Sequence, residues 1–141
     1  NDNWKDVIRP DNVNIIDWIP LYENPYTIGA IIDGIQSKLK KGVAVIALQK
    51  KKEAELGAGG QYSIHRSSLY LSLDFNRLTI MKGKDWLDGN RDNRMYAFEL
   101  VNGGTKFFNI REVNPCPKCY NAGGPKTKMC NNCAGKGVVD R

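Results

Sequence analysis

Four cysteines near the C-terminus constrain this chain more tightly than any other feature. They occur as Cys116-Pro-Lys-Cys119 and Cys130-Asn-Asn-Cys133, with ten residues between the two pairs. A CxxC turn brings its two sulfurs within about 4 Å, and two such turns facing one another make a tetrahedral site of four thiolates. The loop between them holds Gly123, Gly124 and Pro125 and no apolar periodicity, so it cannot build a core and needs a metal clip. Residues 114–141 are therefore expected to form a four-cysteine module around structural zinc, with Cys116, Cys119, Cys130 and Cys133 as ligands. Disulfide pairing is the competing assignment, and nothing marks the chain as secreted. A hydrolytic zinc site keeps one position open for water, whereas four clustered cysteines close the shell. The sole histidine, His65, is far away in sequence.

A chain of 141 residues, 41% hydrophobic and 26% charged, suits one ordinary domain with a small appendage. No apolar run approaches the roughly 18 residues of a spanning helix, and residues 1–10 lack the apolar region of a signal peptide. A soluble, cytoplasmic protein with no membrane partner is expected. The formal charge of +6 favours polyanionic partners such as nucleic acid. A zinc tetrathiolate carries a net charge of −2, which leaves a surplus of about +4. The chain opens on Asn1 just ahead of an apolar run, which suggests a piece of a longer protein.

The main domain begins with Asn12-Val-Asn-Ile-Ile-Asp-Trp-Ile19, an apolar run that reaches Asp17 and stops before Pro20, as a buried strand would. Asn24 then stands as an N-cap, Pro25 at the first helical position, and Ile28, Ile31, Ile32, Ile35 and Leu39 at helical spacing, closed by Lys40, Lys41 and Gly42. Val43 to Leu48 is an uninterrupted β-prone run of the kind found in parallel sheets covered on both faces. Strand, helix and strand make a βαβ unit. Residues 50–60 are rich in lysine and glycine and predict a mobile loop. Leu69–Leu73 with Arg77–Met81, and Met95–Val101 with Thr105–Ile110, read as two hairpins, the second closed by a tight primed turn at Asn102-Gly103-Gly104. Residues 84–94 read as a loop.

In this order the elements resemble the second half of a RecA-like ATPase core, as in DnaB-type helicases and RadA-type recombination ATPases. The resemblance covers roughly Val13 to Asn109. Ile15-Ile-Asp17-Trp18 is similar to a Walker B strand, whose aspartate orients magnesium and its waters beside the nucleotide phosphates. A carboxylate that merely caps a turn is the plainer alternative. Val45-Ile-Ala-Leu-Gln49 is similar to the strand that ends in a γ-phosphate-sensing glutamine, although a glutamine at a strand end can also be an ordinary polar residue. The resemblance puts single-stranded nucleic acid on the following loop, with Lys50, Lys51, Lys52, Gly57, Gly59 and Gly60 as its contacts. A solvated lysine run is the alternative there. Leu78-Thr-Ile-Met-Lys82-Gly-Lys84 is similar to the strand whose basic pair reaches a neighbouring subunit's nucleotide. Lys84 stands where an arginine is usual, and lysine lacks the bidentate fork. The stretch from Gly57 to Leu73 resembles a RadA segment in which a short helix precedes a strand, with His65 as a packing residue.

The resemblance thus implies an α/β fold, a partial RecA-like sheet in which a parallel βαβ unit is followed by antiparallel hairpins, over residues 1–113, with a small zinc-binding knuckle over 114–141. The half-motif Cys130-Asn-Asn-Cys133-Ala-Gly135-Lys-Gly137 resembles the CxxCxGxG repeat of DnaJ-type zinc domains, whereas Asn121 breaks the pattern in the first half. GxxxxGK[ST], the P-loop, occurs nowhere, and Gly124-Pro-Lys-Thr127 lacks the glycine before its lysine. Two functions follow as expectations. One is part of an ATP-dependent motor acting on DNA, a replicative helicase or a recombination or repair ATPase, using ATP and magnesium in a ring or filament of identical subunits; its P-loop would lie upstream, and this chain alone would be inactive. The other is a non-enzymatic, zinc-containing nucleic-acid-binding or scaffold protein.

Overall fold

The computed structural model describes residues 4–19, 21, 24–51, 54–120 and 130–141. They form two compact units, Asn1–Tyr70 and Leu71–Arg141.

In the first unit a short helix α1 (Trp4–Val7) precedes strand β1 (Val13–Ile16). A 3-10 turn (Pro25–Thr27) then leads into helix α2 (Ile28–Gln36), strand β2 (Val43–Ile46) and the short helix α3 (Gln61–Ile64). β1 and β2 pair in parallel, Val13 opposite Val43 and Ile16 opposite Ile46, with α2 as the crossover between them. Asn24 caps the helical entry as its sequence position predicts, its Oδ1 accepting the Tyr26 N–H at 3.0 Å ahead of Pro25. The helix stops at Gln36 rather than Leu39. Beyond it the Lys38 and Leu39 N–H groups bond to the carbonyls of Ile35 and Gln36 in tight turns. Leu39 still packs on the core, where Ile8, Ile16, Ile19, Ile28 and Ile35 are buried together.

Gly42 lets the chain return beside the entry to β1. A Cβ there would lie 2.4 Å from the Asn12 carbonyl oxygen, and the Gly42 N–H donates to the Pro10 carbonyl at 2.9 Å. The apolar run of β2 predicts cover on both faces, yet among the described residues α2 covers only one. Val13, Ile15, Val43 and Val45 lie on the other face and are each more than half exposed.

The second unit is built on a five-stranded antiparallel sheet, in the order β3 (Leu69–Asp74), β4 (Arg77–Gly83), β5 (Met95–Val101), β6 (Lys106–Pro115) and β7 (Val138–Asp140). The β3–β4 hairpin turns on Phe75 and Asn76, where Asn76 takes a left-handed φ of 55° and Arg77 bridges back to Asp74 at 2.9 Å. Asn102, Gly103 and Gly104 all have positive φ, as a primed turn requires. β6 continues five residues past Ile110: Arg111, Glu112 and Val113 still pair with β5, and β7 pairs with the far end, Val113 opposite Asp140 and Pro115 opposite Val138. Arg111 also bonds Asp140 at 2.7 Å, and Glu112 pairs with both Arg94 and Arg141. A division at residue 113 would therefore fall inside β6, and the cysteine segment is stitched onto the sheet rather than appended to it. No helix among the described residues is long and apolar enough to cross a membrane.

Candidate metal centre and strand-edge site

The end of β6 delivers Cys116, the one-turn helix α4 (Pro117–Tyr120) carries Cys119, and the turns ahead of β7 carry Cys130 and Cys133. All four sulfurs lie within 4.8 Å of one another, so they could hold a metal ion. Cys116 Sγ is 3.9 Å from Cys130 Sγ, and Cys119 Sγ is 3.5 Å from Cys133 Sγ. A tetrahedron with zinc–sulfur bonds of about 2.3 Å sets its sulfurs about 3.8 Å apart, whereas a disulfide needs about 2.0 Å. The spacing therefore fits a tetrathiolate, and all four cysteines are unbridged.

The surroundings favour the thiolate at Cys116 and Cys130. Asn132 Nδ2 donates to Cys116 Sγ at 3.3 Å, and the Gly137 N–H donates to Cys133 Sγ at 3.3 Å. The Asn132 bond, against the opposing effect of burial, pulls the Cys116 thiol down to about 6. Hydrogen bonding with Cys119 lowers Cys130, and the same interaction raises Cys119. Left-handed backbone at Ala134, Gly135 and Gly137 folds the chain back around the second cysteine pair.

A second constellation lies in the first unit, at the carboxyl ends of its two strands. Asp17 directly follows β1 and Gln49 lies three residues past β2. The ladder runs one step further, since the Ala47 N–H donates to the Ile16 carbonyl at 2.9 Å. Exposure alternates along both chains, and Asp17 and Gln49 are exposed in step with Val13, Ile15, Val43 and Val45. Both are therefore exposed, just past the carboxyl ends of the two paired strands. Asp17 also lines a shallow groove with Trp4, Val7 and Trp18.

The loop after Gln49 is tied down at its described ends. The Ala58 N–H donates to the Gln49 carbonyl at 2.7 Å, the Gly57 N–H donates to Tyr70 Oη at 2.9 Å, and Tyr70 Oη lies 3.0 Å from buried Ser63 Oγ. The glycine end is thereby held against the start of the loop, where the lysine and glycine content predicts mobility. Gly59, at φ 87°, is pressed on α2, since a Cβ there would fall 2.2 Å from Ile28 Cγ2. Gly57 and Gly59 thus face their own chain, while the space around Gly60 is open. Lys50 is half-buried and donates to the Ala54 carbonyl at 2.9 Å, and Lys51 is exposed. Lys52 lies outside the described residues, as do Lys126 and Lys128 of the cysteine loop.

Lys82 and Lys84 belong to the second unit, at and just beyond the end of β4. Burial, and then the charge of Lys84, hold the Lys82 ammonium below its usual range, with Asp92 opposing. Asp92 Oδ1 accepts the Gly83 N–H at 2.7 Å and the Trp86 indole N–H at 3.3 Å, fixing the chain between the two lysines. His65 caps the end of α3, ahead of β3, and is exposed.

Compared with family models, curated proteins and solved structures, the chain finds no match. Sequence reasoning singles out the four cysteines, Asp17 and Gln49, but it misses Asn132 and Tyr70. Asn132 sits inside the CxxC turn, where a donor facing the sulfur is a readable signal. Tyr70 acts across 13 residues of chain and leaves no local trace.

Proposed function

We propose that this chain is part of an ATP-dependent motor acting on DNA, with a structural zinc held by Cys116, Cys119, Cys130 and Cys133. The observation that supports the motor reading is that Asp17 and Gln49 are both exposed and follow, by one and three residues, two strands that pair in parallel. Open α/β sheets bind ligands outside the carboxyl ends of their strands, and a carboxylate beside a neutral amide suits that place. Asp17 would orient a hydrated magnesium ion, and Gln49 would donate to or accept from a terminal phosphate or an attacking water. Bound magnesium nucleotide would supply the transferable phosphoryl group. This sequence contains no P-loop, so the motor reading requires the phosphate cradle to come from outside these 141 residues.

Lys51, with Lys50 behind it, gives the loop next to Gln49 a positive charge suited to a nucleic-acid backbone. Lys82 and Lys84 are the basic pair this reading assigns to a neighbouring subunit's nucleotide, which implies a ring or filament of identical subunits. The zinc is structural, because four thiolates leave no position for water or substrate. The second reading, a zinc-containing nucleic-acid-binding protein without catalysis, draws on the cysteine cluster and the net positive charge alone.

ATP hydrolysis by the natural polypeptide that carries this chain separates the two. The motor reading expects turnover that Asp17→Asn lowers on the order of a hundredfold, by weakening the hold on the magnesium ion that would neutralise the phosphate charge. Hydrolysis that is absent, or indifferent to Asp17, would leave only the binding protein.

A further inference from the structure

Two tyrosines that no part of the proposed site uses stand together beside it. Tyr26 lies in the turn that starts α2, and Tyr62 lies in α3, just after the glycine end of the loop. Their rings meet edge to face with centroids 5.4 Å apart, and the residues are 65% and 55% exposed. Buried aromatic pairs explain themselves through the area they hide, whereas this pair leaves most of its surface in water.

The chain path fixes where the pair sits. A crossover helix runs back along its strands, so the start of α2 lies over the carboxyl end of β1 and β2, the end that carries Asp17 and Gln49. Gly59 presses on Ile28 and on the carbonyl of Pro25, which brings the end of the loop to the first turn of α2. Tyr62 lies beside Gly29 of the same turn. The Ala58 N–H bond to Gln49 draws the other end of the loop, with Lys50 and Lys51, to the same edge. The exposed aromatic pair thus stands where the end of the lysine-bearing loop docks on the start of α2.

We infer that Tyr26 and Tyr62 form a stacking platform for the bases of single-stranded nucleic acid, whose phosphates are held by the lysines of the neighbouring loop. The inference rests on the nucleic-acid part of the proposed function and names the group that reads the base rather than the backbone. Aromatic faces accept any base and lysines accept any phosphate, so the combination takes single strands without sequence preference.

The test titrates the full chain with a fluorescent oligothymidylate and with an abasic strand of equal length and charge. The wild type is expected to prefer the oligothymidylate by roughly tenfold. Tyr62→Ala and Tyr26→Ala each erase much of that preference by weakening only the oligothymidylate, while the phenylalanine variants retain it. Lys51→Ala weakens both strands and flattens the dependence of log K on log salt by about one. Circular dichroism checks that the tyrosine variants, altered at exposed positions, keep the native fold. Equal binding of both strands by the wild type, or alanine variants that weaken both equally, would overturn the platform while leaving the lysine contacts standing. If neither strand binds the wild type, the nucleic-acid reading falls together with the platform.

Discussion

Single residues divide into those whose role is written in local spacing and those whose role appears only on folding. The cysteines belong to the first kind, because a CxxC turn fixes the distance between its sulfurs whatever surrounds it. Replacing Cys116, the most deeply buried of the four, by serine removes one thiolate from a closed shell. Zinc content, measured by plasma emission spectroscopy, is expected to fall from about one ion per chain to well below half. Stoichiometry unchanged by the substitution would remove Cys116 from the ligand set. Ile28 is likewise legible, as a helix-spaced apolar residue, and it is fully buried in the first unit. Ile28→Ala is expected to cost about 2–5 kcal/mol in urea-induced unfolding of that unit. Tyr26 and Tyr62 belong to the second kind: 36 positions apart, they meet only because Gly59 docks the loop on α2.

Elements were legible where a repeating pattern or a cap defined them. The helix entry at Asn24 and Pro25, the parallel pairing of β1 with β2 and the Asn102-Gly103 turn all follow from local chemistry. What stayed hidden were contacts made at a distance. β6 extends to Pro115 because three residues on the far side of the cysteine loop pair with it, and no periodicity announces a three-residue strand. That pairing shapes the response to metal removal. Chelation is expected to expose the amides of residues 130–140 to rapid hydrogen exchange while β4 and β5, which pair with each other independently of the cysteines, keep their protection. Protection lost together across all five strands would show that the sheet depends on the metal. Acid acts in the same direction, since protons compete for the thiolates as pH falls. At Gly59 the added methyl of Gly59→Ala meets both Ile28 and a left-handed backbone, so a cost of more than about 1 kcal/mol is expected in thermal or urea unfolding.

On the scale of the whole molecule, one half offers a small parallel sheet with one apolar face exposed among the described residues, and the other an antiparallel sheet whose last strand, β7, follows a cluster of four thiols. Parallel sheets are ordinarily covered on both faces, so Val13, Ile15, Val43 and Val45 are where this α/β half departs furthest from what its sequence pattern predicts. The functional account rests on the strand edge beside that face, where an acid and an amide stand with a lysine-bearing loop. In a motor the amide links the state of the phosphate to the loop that follows it. The direct measurement is therefore the ratio of ATP turnover with and without single-stranded DNA, for the natural polypeptide carrying this chain and for its Gln49→Ala variant. The account predicts a ratio well above one that collapses toward one in the variant while binding of the DNA itself persists. Turnover that DNA does not stimulate, or stimulation that survives the loss of Gln49, would contradict it.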